Sequence, residues 1–158
     1  MKSYRLFIFL ATALVACVSA KKLTPSTIGV LPIHNYILKQ QVTFSDTVTY
    51  RIFTRAEEFH NIFTMTKTTP GAAIVPDFNA QWVVAIILQP SERVITIDIN
   101  KAEITGNDLN IYYNVTDTTS WKTFAHTPKA VAILPKSVDV KQVHFFSRNG
   151  RNKTLNIN

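Results

Sequence analysis

The chain has 158 residues, a formal charge of +7, 46% hydrophobic residues and a single cysteine. That length is enough for one domain with a sizeable core. A lone cysteine excludes a disulfide-stapled fold, so burial must supply the cohesion.

Taken in chain order, Met1 to Arg5 carries Lys2 and Arg5, and Leu6 to Ala16 is a mostly apolar run. The run is too short to cross a bilayer as a mature helix and suits the h-region of a signal peptide, so export is expected. Two processing routes fit. Leu14-Val15-Ala16-Cys17 has the form of a bacterial lipobox, with residues 1–16 removed and Cys17 lipidated through its thiol. Val18-Ser19-Ala20 alternatively offers a small-residue cleavage site before Lys21. Loss of Lys2 and Arg5 leaves fifteen basic against ten acidic side chains, or +5. The looser basic set at Lys136, Lys141, Arg148, Arg151 and Lys153 is either a solvated face or a surface for an acidic partner. Nucleic acid is not expected as a partner, because the compartment is wrong and no zinc-finger or Gly-aromatic signature is present.

Residues 17–28, with Pro25 and small polar side chains, suit a tether, and residues 29–158 form the single domain. Gly29 to Leu38 predicts an irregular first strand, placed at an edge by Pro32. Val42 to Phe53 predicts a strand, with alternation at Val48, Tyr50 and Ile52. Thr54-Arg55-Ala56-Glu57 has the form of a capping box, and Phe59, Ile62 and Phe63 follow at helical spacing. A helix over about residues 55–66 should therefore lay an aromatic stripe on the sheet. Pro70-Gly71 and Pro76 bound the loop that follows.

Trp82 to Leu88 is apolar on both faces, which predicts a central strand. After Gln89-Pro90-Ser91, Val94 to Ile99 alternates and is expected as the half-exposed partner of that strand. The apolar parity changes from Ile95, Ile97 and Ile99 to Ala102 and Ile104, so a bulge is expected near Asn100-Lys101. Gly106-Asn107-Asp108 predicts a turn, with Leu109, Ile111, Tyr113 and Val115 along one face of the returning strand. Asp117 to Ser120 is expected as a polar loop leading to Trp121. Lys122 to His126 and Ala130 to Leu134 predict two short strands, the second ended by Pro135. Asn149-Gly150 is the strongest hairpin signal, joining Gln142–Ser147 to Asn152–Ile157 with Arg148 opposite Arg151 and His144 opposite Leu155.

No catalytic constellation emerges. No serine lies in a Gly-x-Ser-x-Gly turn, and no cysteine survives removal of the leader except as the lipid carrier. His34, His60, His126 and His144 lack metal-ligand spacing and read as surface or strand-filling side chains. No phosphate loop or dinucleotide fingerprint implies a cofactor. The sequons at Asn114 and Asn152 matter only in a host that glycosylates them.

Asp77-Phe78, the Trp82 to Leu88 strand, a short Pro-bearing turn, an Ile-rich strand and Thr127-Pro128-Lys129-Ala130-Val131-Ala132-Ile133-Leu134-Pro135 follow one another in an order that resembles the C-terminal domain of the PrcB family. Members are lipoprotein subunits of a bacterial surface protease complex. The resemblance spans roughly Tyr50 to Pro135. It implies a cell-envelope protein that works by association, with a protease as a candidate partner and no chemistry of its own. One departure stands out: the family's Thr-Gly-Gly-Tyr-like turn is replaced here by Gln89-Pro90-Ser91-Glu92-Arg93.

The expected fold is α+β, a curved, mainly antiparallel sheet or partly open barrel with one helix on it. The leading functional reading is a lipid-anchored interaction module. It would use Gln89, Pro90, Ser91, Glu92 and Arg93, with Trp121 either a binding anchor or a lid packed on the core. A structural envelope protein binding by strand addition and an unrecognised enzyme are the alternatives.

Overall fold

A computed structural model describes residues 23–66, 74–148 and 150–157. The expected signal peptide, Cys17, Pro70-Gly71 and Asn149 lie outside the described residues. In chain order the elements are β1 (Ser26–Ile28), β2 (Leu31–Pro32), β3 (Tyr36–Leu38), β4 (Val48–Phe53), α1 (Ala56–Ile62), β5 (Phe63–Met65), β6 (Gln81–Leu88), β7 (Ser91–Thr105), β8 (Asp108–His126), β9 (Lys129–Pro135), β10 (Gln142–Ser147) and β11 (Gly150–Asn156). The described residues are thus mostly sheet with one short helix, which fits the α+β expectation in outline.

The strands divide among three open sheets rather than lying in one curved sheet, and none closes into a barrel. The first has the order β1-β7-β8-β10-β11, the second β2-β9-β6-β4, and a two-stranded ribbon pairs β3 with β5. All pairings are antiparallel except β8 with β10, which is parallel. The expected pairing of β6 with β7 does not occur. Both edges of β6 are already taken, by β4 from Val83 to Leu88 and by β9 from Gln81 to Ile87, so the following strand must join another sheet.

The second sheet is the middle of three layers. Residues Trp82 to Ile87 of β6 are all buried, and their alternation sends them into two different cores. Trp82, Val84 and Ile86 pack with Leu109, Ile111, Val143 and Phe145 of the first sheet. Val83, Ala85 and Ile87 pack with Tyr36, Phe59 and Phe63 of the helix and ribbon. Each fully buried branched or aromatic side chain contributes about 1.5–3 kcal/mol. A strand in any other layer would leave half of these residues in water.

Helix α1 is shorter than the spacing predicts, because Phe63–Met65 pairs with β3 and ends it. Its N-cap residue is Arg55 in extended conformation with no side-chain cap, so the Thr54 capping box does not form. Arg55 instead reaches Glu58, its Nε 2.8 Å from Oε1. Phe59 is the helix's one buried residue and the hub of the second core. Its ring lies 4.8 Å from that of Tyr36, 5.4 Å from Phe53 and 5.0 Å from Phe63.

Several expected elements shift. The strand predicted over Val42 to Phe53 begins only at Val48. Segment 17–28, expected as a tether, contributes Ser26–Ile28 to the first sheet. The bulge near Asn100-Lys101 is present, between Ile99 and Lys101. Gly106 and Asn107 link the pair Thr105 and Asp108, with Gly106 at φ +62°, a backbone angle that favours glycine. In the last hairpin Ser147 pairs with Gly150, which sets the register two residues from the expected one, and a bulge between Phe145 and Phe146 takes up one of them. Arg151 therefore lies opposite Phe146 rather than Arg148, and His144 opposite Thr154 rather than Leu155.

That bulge leaves Asn152 free to donate to Tyr113 Oη (2.6 Å) and Ser147 Oγ (2.8 Å), and Tyr113 meets the Tyr50 hydroxyl at 2.7 Å. The chain of contacts fastens β4 of the middle sheet to β8 and β11. Burial, then the Tyr113 hydroxyl, raises the Tyr50 pKa.

Three outcomes follow. Phe59→Ala is expected to lower stability in urea denaturation by about 3–5 kcal/mol. Thr54→Ala should cost under about 0.5 kcal/mol, whereas a loss near 1 kcal/mol would reinstate the capping box. Because the folded pKa of Tyr50 lies above its unfolded value near 10.0, the stability it confers is complete below that pH and is lost as pH rises past it. Denaturation midpoints between pH 9 and 11, roughly bracketing the free tyrosine pKa, should fall less steeply in Tyr50→Phe than in the wild type.

Candidate functional site

Of the connections that carry the chain between the middle sheet and the first sheet, two lie at the base of the long hairpin. Gln89-Pro90 leads from β6 to β7, and Thr127-Pro128 leads from β8 to β9. They run side by side, with the Leu88 N–H donating to the Pro128 carbonyl at 2.9 Å. Beyond them the two long strands form a ribbon, Ser91 to Asp98 against Asn114 to His126, before entering the first core. The expected polar loop at Asp117–Ser120 and the short strand at Lys122–His126 are both part of β8.

The ribbon is irregular. Arg93 pairs with Trp121, Ile95 with Asp117 and Ser91 with His126, so β8 carries extra residues at two places. Arg93 and Trp121 are thus brought together across the ribbon, and the Arg93 guanidinium contacts Asp117 at 3.1 Å. Both partners of that pair are well exposed, so its contribution to stability is about 0–1 kcal/mol. Trp121 is 70% exposed and Phe124 is 81% exposed. Trp121 is therefore not a lid on the core. Phe124 was not singled out by sequence reasoning, although two large aromatics three residues apart among Thr, Ser and Lys were the available signal.

The remaining predicted contact residues separate by role. The Gln89 amide donates to the Phe44 and Asp46 carbonyls, at 2.7 and 2.9 Å, and so braces the chain leading into β4. Pro90 lines a shallow hollow with Leu38, Val42 and Phe44. Ser91 Oγ accepts the Arg93 N–H at 3.0 Å, and Glu92 is exposed. Of this segment, Gln89, Pro90, Glu92 and Arg93 are all exposed, but the Gln89 amide is taken up by its two carbonyl contacts, which leaves Glu92 and Arg93 beside Trp121.

Beside the ribbon lies a cleft of about 380 Å³, within the range of ligand sites. One wall is β7 from Val94 to Ile99, the other is Thr127 to Ala132, and Pro32 to His34 close one end. Lys122, His126, Lys129 and Tyr36 also line it. The Tyr36 hydroxyl and His126 Nδ1 are buried and have no hydrogen-bond partner among the described residues. Burial holds the Lys129 ammonium below the ordinary lysine pKa and raises that of Tyr36. The four histidines do not converge. His144, 3% exposed, meets Thr154 Oγ1 at 2.8 Å through Nδ1 and lies 3.6 Å from Asp108 through Nε2, a strand-filling role. Among the described residues no three His, Cys, Asp or Glu side chains are placed to hold a metal ion.

Gln89→Ala is expected to cost about 1 kcal/mol of stability through its two lost hydrogen bonds. Trp121→Ala should cost under about 0.5 kcal/mol; a loss of several kcal/mol in urea denaturation would mean that the indole packs on the core. No family model, curated protein or solved structure matches the chain, so the likeness to the PrcB family rests on its sequence motifs alone.

Proposed function

We propose that this protein is a non-enzymatic lipoprotein of the bacterial cell envelope, held to a membrane by a lipid on Cys17. Its domain acts as a protein-interaction module, with the β7–β8 ribbon as the contact surface. The observation that carries this reading is the pair of exposed aromatics, Trp121 and Phe124, within a hydrogen-bonded strand. A strand fixes their backbone in advance, so a partner that buries them incurs little ordering cost. Large rings of this kind serve as anchors of interfaces, and the Arg93–Asp117 pair beside them offers a polar rim. The partner is an envelope protein, and the PrcB-like motifs favour a protease that the domain binds or stabilises.

Benzoylphenylalanine in place of Trp121, irradiated in intact cells, should trap a discrete protein adduct. The same probe at Val138, 96% exposed and outside the ribbon, should not. Identical products from both positions would remove the ribbon from the proposal. Radioactive fatty acid should label the wild type and not Cys17→Ala; label in neither would leave cleavage after Ala20 as the route.

A further inference from the structure

Strand β1 runs beside β7 only at Ala102, Glu103 and Ile104. At Gly29-Val30 the chain leaves that lane and crosses to pair Leu31 and Pro32 with β9. Among the described residues, no strand pairs with β7 from Ser91 to Lys101 on the side away from β8. The cleft follows this open stretch. Six consecutive residues, Val94 to Ile99, line it. Since successive side chains point to opposite faces, a strand contributes every residue to one wall only when it presents its edge. The wall is therefore a row of backbone N–H and C=O groups ready to pair.

The opposite wall sets the chemistry of what can lie there. Lys122 and Lys129 line the cleft against Asp98 as its one acidic side chain, and His34 and His126 add imidazoles. Among the described residues Lys129 makes no ion pair, and burial lowers its pKa. The Tyr36 hydroxyl and His126 Nδ1, buried and unpartnered, call for hydrogen-bonding groups from outside the described residues. Val94, Ile95 and Val131 supply apolar contacts between these polar positions.

We infer that the cleft takes an extended acidic peptide, added to β7 as a strand between Val94 and Ile99. Its backbone continues the lane that β1 vacates, and its carboxylates face Lys122 and Lys129. A segment of about six residues spans roughly 20 Å, the length of the Val94–Ile99 stretch that lines the cleft. Main-chain pairing supplies affinity, and the lysines select for charge. The inference rests on the reading of the domain as an interaction module and assigns the form of the partner segment.

The test uses a fluorescein-labelled hexapeptide of alternating Glu and Val, its Lys-Val counterpart, and an acidic form N-methylated at alternate residues along one edge. By anisotropy the acidic peptide should bind saturably and at least about tenfold more tightly than the lysine form, with affinity falling as salt is added. N-methylation should abolish binding, and Lys122→Glu with Lys129→Glu should weaken it about tenfold or more. Bound peptide should slow hydrogen exchange of the Val94–Ile99 amides. Absent binding, equal binding of the lysine peptide, or binding without that protection each overturns the inference. The crosslinking at residue 121 separates the two proposals. Saturable binding of the acidic peptide with no discrete adduct from that position would refute only the ribbon surface, and a discrete adduct without peptide binding would refute only the cleft.

Discussion

Burial of β6 on both faces is the constraint on which the rest of the architecture depends. Six successive residues without access to water cannot belong to a two-layer fold, because one face would always be wet. They require a layer above and a layer below. The long hairpin and the final two strands provide one; the short helix and the β3–β5 ribbon provide the other. The demand also fixes the neighbours. With β4 and β9 hydrogen-bonded along both edges, β6 leaves no backbone group unpaired in its dry surroundings.

That saturation explains the placement of the candidate site. The chain leaving β6 has no edge to return to, so it must step outward into the first sheet, and the chain returning as β9 must step back. The two steps are stiffened by Pro90 and Pro128 and lie against one another. The stretch of β7 and β8 between the steps and the core is a ribbon with solvent on its outer face. Irregular pairing there turns side chains out that a regular ladder would alternate. The aromatics and the cleft are thus by-products of how two sheets share a pair of strands.

What was legible in the sequence follows the same physics. The doubly apolar run marked β6 as central, the parity change from Ile99 to Ala102 marked the bulge, and Gly106-Asn107 marked the turn. Each is a local signal, set by a few adjacent residues. Pairing partners are not local. Alternation says that β7 has one wet face but not which strand lies beside it, so its assignment to β6 failed. The capping box at Thr54 failed because Arg55 is the N-cap residue and joins Glu58 instead, and the helix fell short because β3 claims Phe63 to Met65. The register of the last hairpin moved because it closes at Ser147 and Gly150, and the bulge beyond that pair lets Asn152 reach Tyr113, a contact between residues far apart in the chain. The cleft was invisible for the same reason: Tyr36, Val94, Lys122 and Lys129 meet only after three sheets have assembled.

The first two strands, Ser26–Ile28 and Leu31–Pro32, find their partners at Ala102 to Ile104 and at Ala132 to Ile133. They dock on surfaces made roughly half to two-thirds of a chain later. Closing such long loops is entropically slow. The leading strands therefore settle only after β7 and β9 exist, whereas β7 and β8, joined by a two-residue turn, can pair with one another first.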